Sequence, residues 1–177
     1  MNLRLGRVSK REHLLEVCIR EMLPTEANKA AALESTIFGS DAWDVEVISA
    51  CIVHPGFRFL GAALDDGKIV GHCCLAWVES GCEIVALGVL PAYRRDGIGR
   101  LMMREMVRLG RESGASRMSL NVRVDNCAAI DLYRSFGFEI AETVGDYYED
   151  GESSYRMALS CASDIESVAV EDQVHPR

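Results

Sequence analysis

The stretch YRRDGIGR, residues 93–100, gathers residue types that bind anions. It contains three arginines, and Gly97 and Gly99 let a ligand oxygen approach the backbone closely because glycine has no Cβ. A helical pattern follows directly, and the first peptide N–H groups of a helix have no partner within it. The helix dipole adds about half a positive charge at that end. The stretch therefore predicts an anion site suited to a diphosphate.

Three kinds of diphosphate loop are compatible with glycines before a helix. A nucleotide-binding P-loop requires a lysine followed by Ser or Thr, and no lysine follows here. A dinucleotide-binding loop requires G-x-G-x-x-G, and GIGRLM lacks the third glycine. The pattern R-x-x-G-x-G fits residues 94–99. A plain strand-to-helix turn with solvated arginines is the alternative without a ligand.

Together with a second stretch, LNVRVDNCAAIDLYRSFGF at residues 120–138, this loop resembles the GNAT superfamily of N-acetyltransferases. The superfamily holds the diphosphate of acetyl-CoA in R-x-x-G-x-G, and the second stretch is similar to its L-x-V-x-x-x-N-x-x-A-x-x-x-Y-x-x-x-G-F pattern. The resemblance extends over residues 17–159. It implies an acyltransferase with acetyl-CoA as cosubstrate and without a metal.

The resemblance also implies where acetyl-CoA binds. Strands 82–90 and 117–122 are expected to run parallel and splay apart, with acetyl-CoA between them, and the N–H of Val89 is expected to polarise the thioester carbonyl. The cofactor-binding residues that it implies are Leu87, Gly88, Val89, Arg94, Arg95, Asp96, Gly97, Ile98, Gly99, Arg100, Asn126 and Tyr133.

Acetyl transfer to an amine requires a base for the ammonium and an acid for the departing thiolate. The resemblance assigns the acid to Tyr133, which otherwise is a core tyrosine beside Phe136. Glu83 is the base candidate because it stands in an EIV sequence that resembles histone-type members, although it is equally interpretable as a strand-end carboxylate in solvent. Asn121 departs from the Glu of bacterial ribosomal-protein acetyltransferases, and because Asn cannot act as a base, a water chain is the alternative.

The acceptor side is indicated by two further similarities. DYYEDGESSYRMAL, residues 146–159, resembles the ending of N-terminal protein acetyltransferases, where paired tyrosines help to hold the peptide; Tyr147 and Tyr148 occupy those positions. FGSDAW resembles a stretch that shapes the acceptor side there, which adds Trp43. The ESS sequence departs from the usual EDA of that subclass.

Three functions follow from these similarities. The first is acetyl-CoA-dependent acetylation of a primary amine by direct transfer, with a protein N-terminal α-amine as the acceptor, as in ribosomal-protein alanine acetyltransferases. The second is the same chemistry on a small amine such as a polyamine, an aminoglycoside or an amino acid. The third is a non-catalytic acyl-CoA-binding module, and the presence of Tyr133 and Glu83 argues against it.

The periodicity predicts an α/β (α+β) fold in a single domain at residues 17–159. A mixed, mostly antiparallel sheet of six to seven strands is expected, flanked by about four helices and including the splayed parallel pair. Helix starts are predicted at Thr25, at Ser40 or Asp41, near residue 98 and at Asp125. Residues 1–16 are interpreted as an N-terminal extension and residues 160–177 as a mobile tail.

Composition limits the partners. The chain has 177 residues and a net charge of −8, which argues against nucleic acid because phosphate contacts need a basic surface. The basic N-terminus lacks the apolar core of a signal peptide, so the sequence predicts a cytoplasmic protein that is not in a membrane. The seven cysteines are expected to be free and mostly buried. A monomer or a homodimer is expected.

Overall fold

One sheet organises the described part of the chain. The structure, a computed structural model, describes residues 4–10, 13–79 and 81–161. The strands are β1 (Arg4–Lys10), β2 (His13–Glu21), β3 (Phe57–Leu64), β4 (Ile69–Val78), β5 (Gly81–Val89), β6 (Arg117–Arg123), β7 (Glu139–Val144) and β8 (Ser154–Ser160). The α-helices are α1 (Ala27–Phe38), α2 (Val45–Val53), α3 (Ile98–Glu112) and α4 (Cys127–Arg134). Short 3-10 helices cover Pro24–Glu26, Gly39–Asp41 and Pro91–Tyr93.

The strand order is β1-β2-β3-β4-β5-β6-β8-β7. Within the described residues every neighbouring pair is antiparallel except β5 and β6, which are parallel. This is the predicted mixed sheet with its parallel pair and four α-helices. The described sheet has eight strands, one more than the upper limit of the prediction, because Arg4–Lys10 pairs with β2. The polar pattern of that segment did not indicate a strand, since its pairing depends on a neighbour that supplies the hydrogen bonds.

The two faces of the sheet carry separate cores. Alternate side chains of a strand point to opposite faces, so adjacent buried residues belong to different cores. On β4, Cys73 packs in the cluster under α3 and α4, while Cys74 packs in the cluster under α1 and α2. Four of the seven free cysteines are buried, as small apolar side chains are. The near-continuous apolar sequence of β4 thus reflects a strand covered on both sides.

Three predicted helix starts are wrong by one to four residues, while α3 begins at the expected residue. Thr25 lies inside the 3-10 turn Pro24–Glu26, and α1 follows with Glu26 as its N-cap. Asp44, instead of Ser40 or Asp41, caps α2 by accepting from the N–H of Val47. These polar residues are close in sequence, and only the tertiary path of the loop decides which of them meets a free N–H group.

The predicted helix start at Asp125 is also wrong, by one residue. Asn126, instead of Asp125, caps the helix: its Oδ1 accepts from the N–H of Ala129 at 3.2 Å. The predicted tail at 160–177 lies outside the described residues apart from Ser160 and Cys161.

Candidate acetyl-CoA and acceptor site

The parallel strands β5 and β6 separate after a short paired segment. Their described register contains three residue pairs, which end at Ile84 and Leu120. Opposite β4, Val85 is an extra residue of β5, and such a bulge bends a strand and increases its local twist. β6 continues along β8 as far as Arg123, whereas β5 continues along β4 to Val89. A gap between the two strands therefore opens beyond the bulge.

The peptide groups of β5 alternate between this gap and β4. The N–H of Leu90 donates to the carbonyl of Val70 on β4 at 2.9 Å. Alternation then turns the peptide groups of Val89 and Leu87 toward the gap and those of Gly88 toward β4. Of the three backbone positions implied for the pantetheine arm, Leu87 and Val89 thus face the gap.

The arginine–glycine loop connects the open end of β5 to α3. Arg95 and Gly97 have left-handed φ values of 68° and 85°, which turn the chain sharply before Ile98. No side chain caps α3, so the peptide N–H groups of its first turn are not covered by a protein acceptor. A Cβ on Gly99 would meet nothing closer than 3.5 Å, so the protein itself does not require glycine there. The space over Gly99 is what a bound oxyanion would use.

The charged side chains of the loop have different surroundings. The Nε of Arg94 donates to the carbonyl of Val89 at 3.0 Å, so this arginine also fixes the loop to β5. Arg95 is exposed, and Arg100 lies 5.6 Å from the ring centre of Phe136. The half-buried Asp96 and the buried Ile98 complete the stretch, and since the Ile98 side chain packs in the core, only its peptide group can face a ligand.

Tyr133 lies on the α3 and α4 face of the sheet. It is buried in the core under α3 and α4, and its ring is tilted against that of Phe138, with ring centres 6.2 Å apart. Burial raises the pKa of the phenol, and nearby Tyr148 raises it further. The phenol therefore keeps its proton at neutral pH, as an acid catalyst must before the reaction. Asn126, at the start of the same helix, is exposed and uses its Oδ1 for the helix cap.

Glu83 lies on the opposite face. Cys82 and Ile84 on either side of it are buried in the α3 and α4 core, so the Glu83 side chain points away from that core. It is half-buried and lines a cleft of about 530 Å³, which Arg117, Ser119, Glu142 and Arg156 also line. The acid and base candidates thus approach β5 from opposite faces.

Asn121 has a role that sequence reasoning missed. Its Nδ2 donates to Oε1 of Glu83 at 3.1 Å, a contact between residues 38 positions apart. The sequence marked Asn121 only as a departure from Glu. The structure shows that the Asn121 amide orients the carboxylate of Glu83. The two side chains lie close together because Glu83 pairs with Ser119 in the parallel register.

The predicted acceptor residues lie on two connections. Trp43 follows the Gly39–Asp41 turn and is partly buried against the core under α1 and α2. Tyr147 and Tyr148 lie between β7 and β8, with ring centres 5.0 Å apart in an edge-to-face arrangement. The structure brings the two connections together through Arg123, which sequence reasoning did not single out. Its guanidinium contacts Asp41 and lies over the ring of Tyr148.

Glu34 and His72 form a buried pair that sequence reasoning also missed. The Nε2 of His72 is 3.5 Å from Oε1 of Glu34, and both side chains are almost fully buried. Burial raises the pKa of Glu34 to about 7, which the N–H of Trp43 partly opposes by hydrogen bonding, and burial lowers the pKa of His72 to about 4. The His72 ring stacks on Phe59 at 5.4 Å.

The described residues contain no group of three or more His, Cys, Asp or Glu side chains arranged to hold a metal ion. Nor does any helix among them have the length and apolar character to span a membrane.

Comparison with known proteins identifies the family of this chain. Residues 20–138 match the acetyltransferase (GNAT) family. The N-alpha-acetyltransferase RimI of Mycobacterium tuberculosis is 32% identical over 147 residues, which cover 80% of this chain and 90% of that protein. A putative [ribosomal protein bS18]-alanine N-acetyltransferase of Bacillus subtilis is 36% identical over 93 residues, which are 52% of this chain and 62% of that relative.

The crystal structure of the ribosomal-protein-S18-alanine N-acetyltransferase from Escherichia coli has the same fold. It superposes with a TM-score of 0.76 at 24% identity, over 86% of this chain and 98% of that one. The predicted resemblance and the predicted fold class are confirmed. The chain belongs to the acetyltransferase (GNAT) family and is an acyltransferase.

Proposed function

We propose that this enzyme transfers an acetyl group from acetyl-CoA directly to the α-amine of a protein N-terminus. The observation that carries the proposal is the gap between β5 and β6. The basic start of α3, which no side chain caps, follows the open end of β5. Arg123 at the end of β6 contacts Asp41 and Tyr148, which lie on the two loops that carry the predicted acceptor residues. Relatives of this chain are N-α-acetyltransferases by name, which favours this acceptor over the small amines.

The residues of the loop fit acetyl-CoA, which supplies the acetyl group as a thioester. The first-turn N–H groups of α3 and the side chains of Arg95 and Arg100 hold the diphosphate. Gly99 leaves the room for it. Peptide groups of Leu87 and Val89 align the pantetheine arm as an added strand would, and the N–H of Val89 stabilises the charge that develops on the thioester oxygen.

The proton transfers fall to two side chains. Glu83, oriented by Asn121, accepts a proton from the acceptor ammonium, directly or through a water molecule, and releases it to solvent. The free amine then attacks the carbonyl carbon, and as the resulting adduct collapses, the nitrogen loses its second proton to solvent and the carbon–sulfur bond breaks. Tyr133 donates its proton to the departing sulfur and is reprotonated from solvent. The net change is one amide formed, one thiol formed and one proton released.

The acceptor protein contacts the enzyme through its N-terminal segment, which binds Trp43, Tyr147 and Tyr148.

We infer that the enzyme works in the cytoplasm as a monomer or a homodimer. Neither nucleic acid nor a membrane is expected as a partner, given the net charge of −8.

A panel of acceptors tests the proposed function by thiol release from acetyl-CoA. Peptides beginning with Ala or Ser should be acetylated, while the same peptides with a blocked α-amine, spermidine and an aminoglycoside should not. Tyr133→Phe should lower kcat by about 10²-fold or more and retain acetyl-CoA binding, since an acid catalyst contributes on this order. Turnover of small amines alone would contradict the peptide acceptor. Binding of acetyl-CoA without any turnover would indicate the non-catalytic module.

A further inference from the structure

We propose that Arg123 is a positioning residue for acetyl transfer, which joins the two loops that border the acceptor side. One loop is the Gly39–Asp41 turn between α1 and α2, and the other is the connection between β7 and β8 at residues 145–153. The inference rests on the proposed function and deepens it, because the joined loops form the surface that meets the acceptor.

The guanidinium of Arg123 contacts one carboxylate in each loop. Its Nη2 and Nε donate to Oδ2 of Asp41 at 2.6 and 3.3 Å. Its Nη1 donates to Oδ2 and Oδ1 of Asp150 at 2.8 and 3.2 Å. The two carboxylates are far apart in sequence, and the planar guanidinium holds the loops of Asp41 and Asp150 next to each other by binding both. The partly buried side chains of Arg123 and Asp41, each 24% exposed, limit screening by solvent.

The same guanidinium sets the position of the tyrosine pair. It lies 4.0 Å from the ring centre of Tyr148, within cation–π range. The Oδ1 of Asp150 also accepts from the backbone N–H of Glu152 at 3.1 Å. The backbone carbonyl of Glu152 in turn accepts from the backbone N–H groups of Tyr147 and Tyr148. The carboxylate of Asp150 thus binds Arg123 and also stabilises the turn that carries Tyr147 and Tyr148.

The location of Arg123 explains why such a contact is needed. It is the last residue of β6, beyond Leu120, where the described pairing with β5 ends. At Arg123 the strand pairs with Ser154 of β8. Because the described pairing with β5 has ended before Arg123, the sheet does not hold this end of β6 next to the loop between α1 and α2. Arg123 makes that connection through Asp41.

The consequence for the reaction lies in the distance between acid and acceptor. The Arg123 guanidinium lies against Tyr148, one of the residues proposed to hold the acceptor, and is ion-paired with Asp41, two residues before Trp43. Releasing the loop moves the surface that places the acceptor amine, and small displacements of reactants cost rate. The arginine touches no reacting atom in this scheme and acts through the two loops.

The test compares Arg123→Gln with Arg108→Gln in the full chain. Arg108 is a matched control because it also bridges two carboxylates, those of Glu105 and Glu112, but within α3. With an Ala-initiated peptide, Arg123→Gln should raise the KM for the peptide by roughly tenfold while leaving the Kd for acetyl-CoA unchanged. Arg123→Lys should recover part of the loss, because a lysine keeps the charge without the two-sided contact.

Hydrogen exchange gives a readout that does not depend on turnover. In Arg123→Gln, amide exchange should increase in both loops, at residues 39–43 and 145–153, and Arg108→Gln should change neither. Unchanged exchange in either loop, or increased exchange with an unchanged KM, would overturn the proposal. If the wild-type enzyme acetylates only small amines, the peptide acceptor is wrong, and the KM for that amine together with the exchange data then decides the role of Arg123.

Discussion

At the scale of single residues, Glu34 shows how burial reverses the usual behaviour of a carboxylate. An exposed glutamate is charged above its ordinary pKa of 4.5, but burial raises the pKa of Glu34 to about 7. His72, at 3.5 Å, responds in the other direction, since burial lowers its pKa to about 4. Both groups favour their neutral forms because neither has a partner strong enough to offset the loss of solvation.

Glu34→Gln should therefore change how stability depends on pH. Because the folded state raises the pKa of Glu34, its protonation stabilises the fold below about pH 4.5, and this contribution is lost as the pH rises through about 7. The unfolding free energy of the wild type relative to Glu34→Gln should fall over that range by an amount on the order of 3 kcal/mol. Denaturant unfolding at several pH values measures the difference.

Glu26→Gln is the control for this prediction. Its hydrogen bonds from Arg20, at 2.7 Å, hold the pKa of Glu26 down at about 2. The stabilisation from Glu26 is present above about pH 4.5 and is lost only as the pH falls through about 2, so its difference from the wild type should stay constant from pH 5 to 7.5. A constant difference for Glu34→Gln as well would contradict the raised pKa.

At the scale of elements, two glycines show what β5 and α3 each require. The end of α1 packs directly on β5: a Cβ on Gly88 would come within 2.9 Å of Ile37 and 3.0 Å of Phe38. A Cβ on Gly99, by contrast, would make ordinary contacts with Leu132 and Val89, at 3.5 and 4.0 Å. The packing of the fold therefore requires glycine at position 88. It does not require glycine at position 99, where the missing side chain leaves open space above the start of α3.

The variants Gly88→Ala and Gly99→Ala should separate these roles. Gly88→Ala should lower stability by about 1–3 kcal/mol, as overpacking does. Gly99→Ala should leave stability unchanged or raise it by up to about 1 kcal/mol, because alanine favours a helix, yet it should weaken acetyl-CoA binding. Thermal unfolding and calorimetric titration with acetyl-CoA measure the two effects. Unchanged affinity in Gly99→Ala would place the diphosphate elsewhere.

At the scale of the whole molecule, positive charge is concentrated against the overall balance. The chain has 19 basic and 27 acidic residues, yet exposed arginines 94, 95 and 100 stand together at the open end of β5. Many other arginines are engaged with carboxylates, as Arg20, Arg108 and Arg123 are. A local positive potential on an acidic protein attracts a small polyanion and does not favour extended nucleic acid.

Arg94→Glu combined with Arg95→Glu should weaken acetyl-CoA binding by roughly tenfold or more and reduce its dependence on salt. Arg104→Glu combined with Arg111→Glu is the control, because it changes the net charge equally on exposed positions of α3 beyond its first turn. Titrations at about 0.05 M and 0.5 M NaCl provide the comparison, since the higher salt shortens electrostatic range several-fold. Equal losses in both double variants would indicate a general charge effect and not a diphosphate site.

The sequence by itself determined the elements whose signals are local. The helix α3 is predicted to begin near residue 98 and does begin at Ile98, because the periodic pattern that forms a helix depends on neighbours a few residues away. The family resemblance located the loop at residues 94–99 and Tyr133 because these motifs are continuous in sequence. It also predicted the parallel pair, which periodicity alone does not reveal.

Only the tertiary structure decided the contacts between distant segments. Arg123 meets Asp41 across 82 residues, and Asn121 meets Glu83 across 38, and no local pattern encodes either pairing. The first strand, at Arg4–Lys10, exists through its pairing with β2. The physical reason is common to all three: hydrogen bonds and ion pairs form wherever the fold brings donors and acceptors together, and the fold depends on the packing of both cores at once.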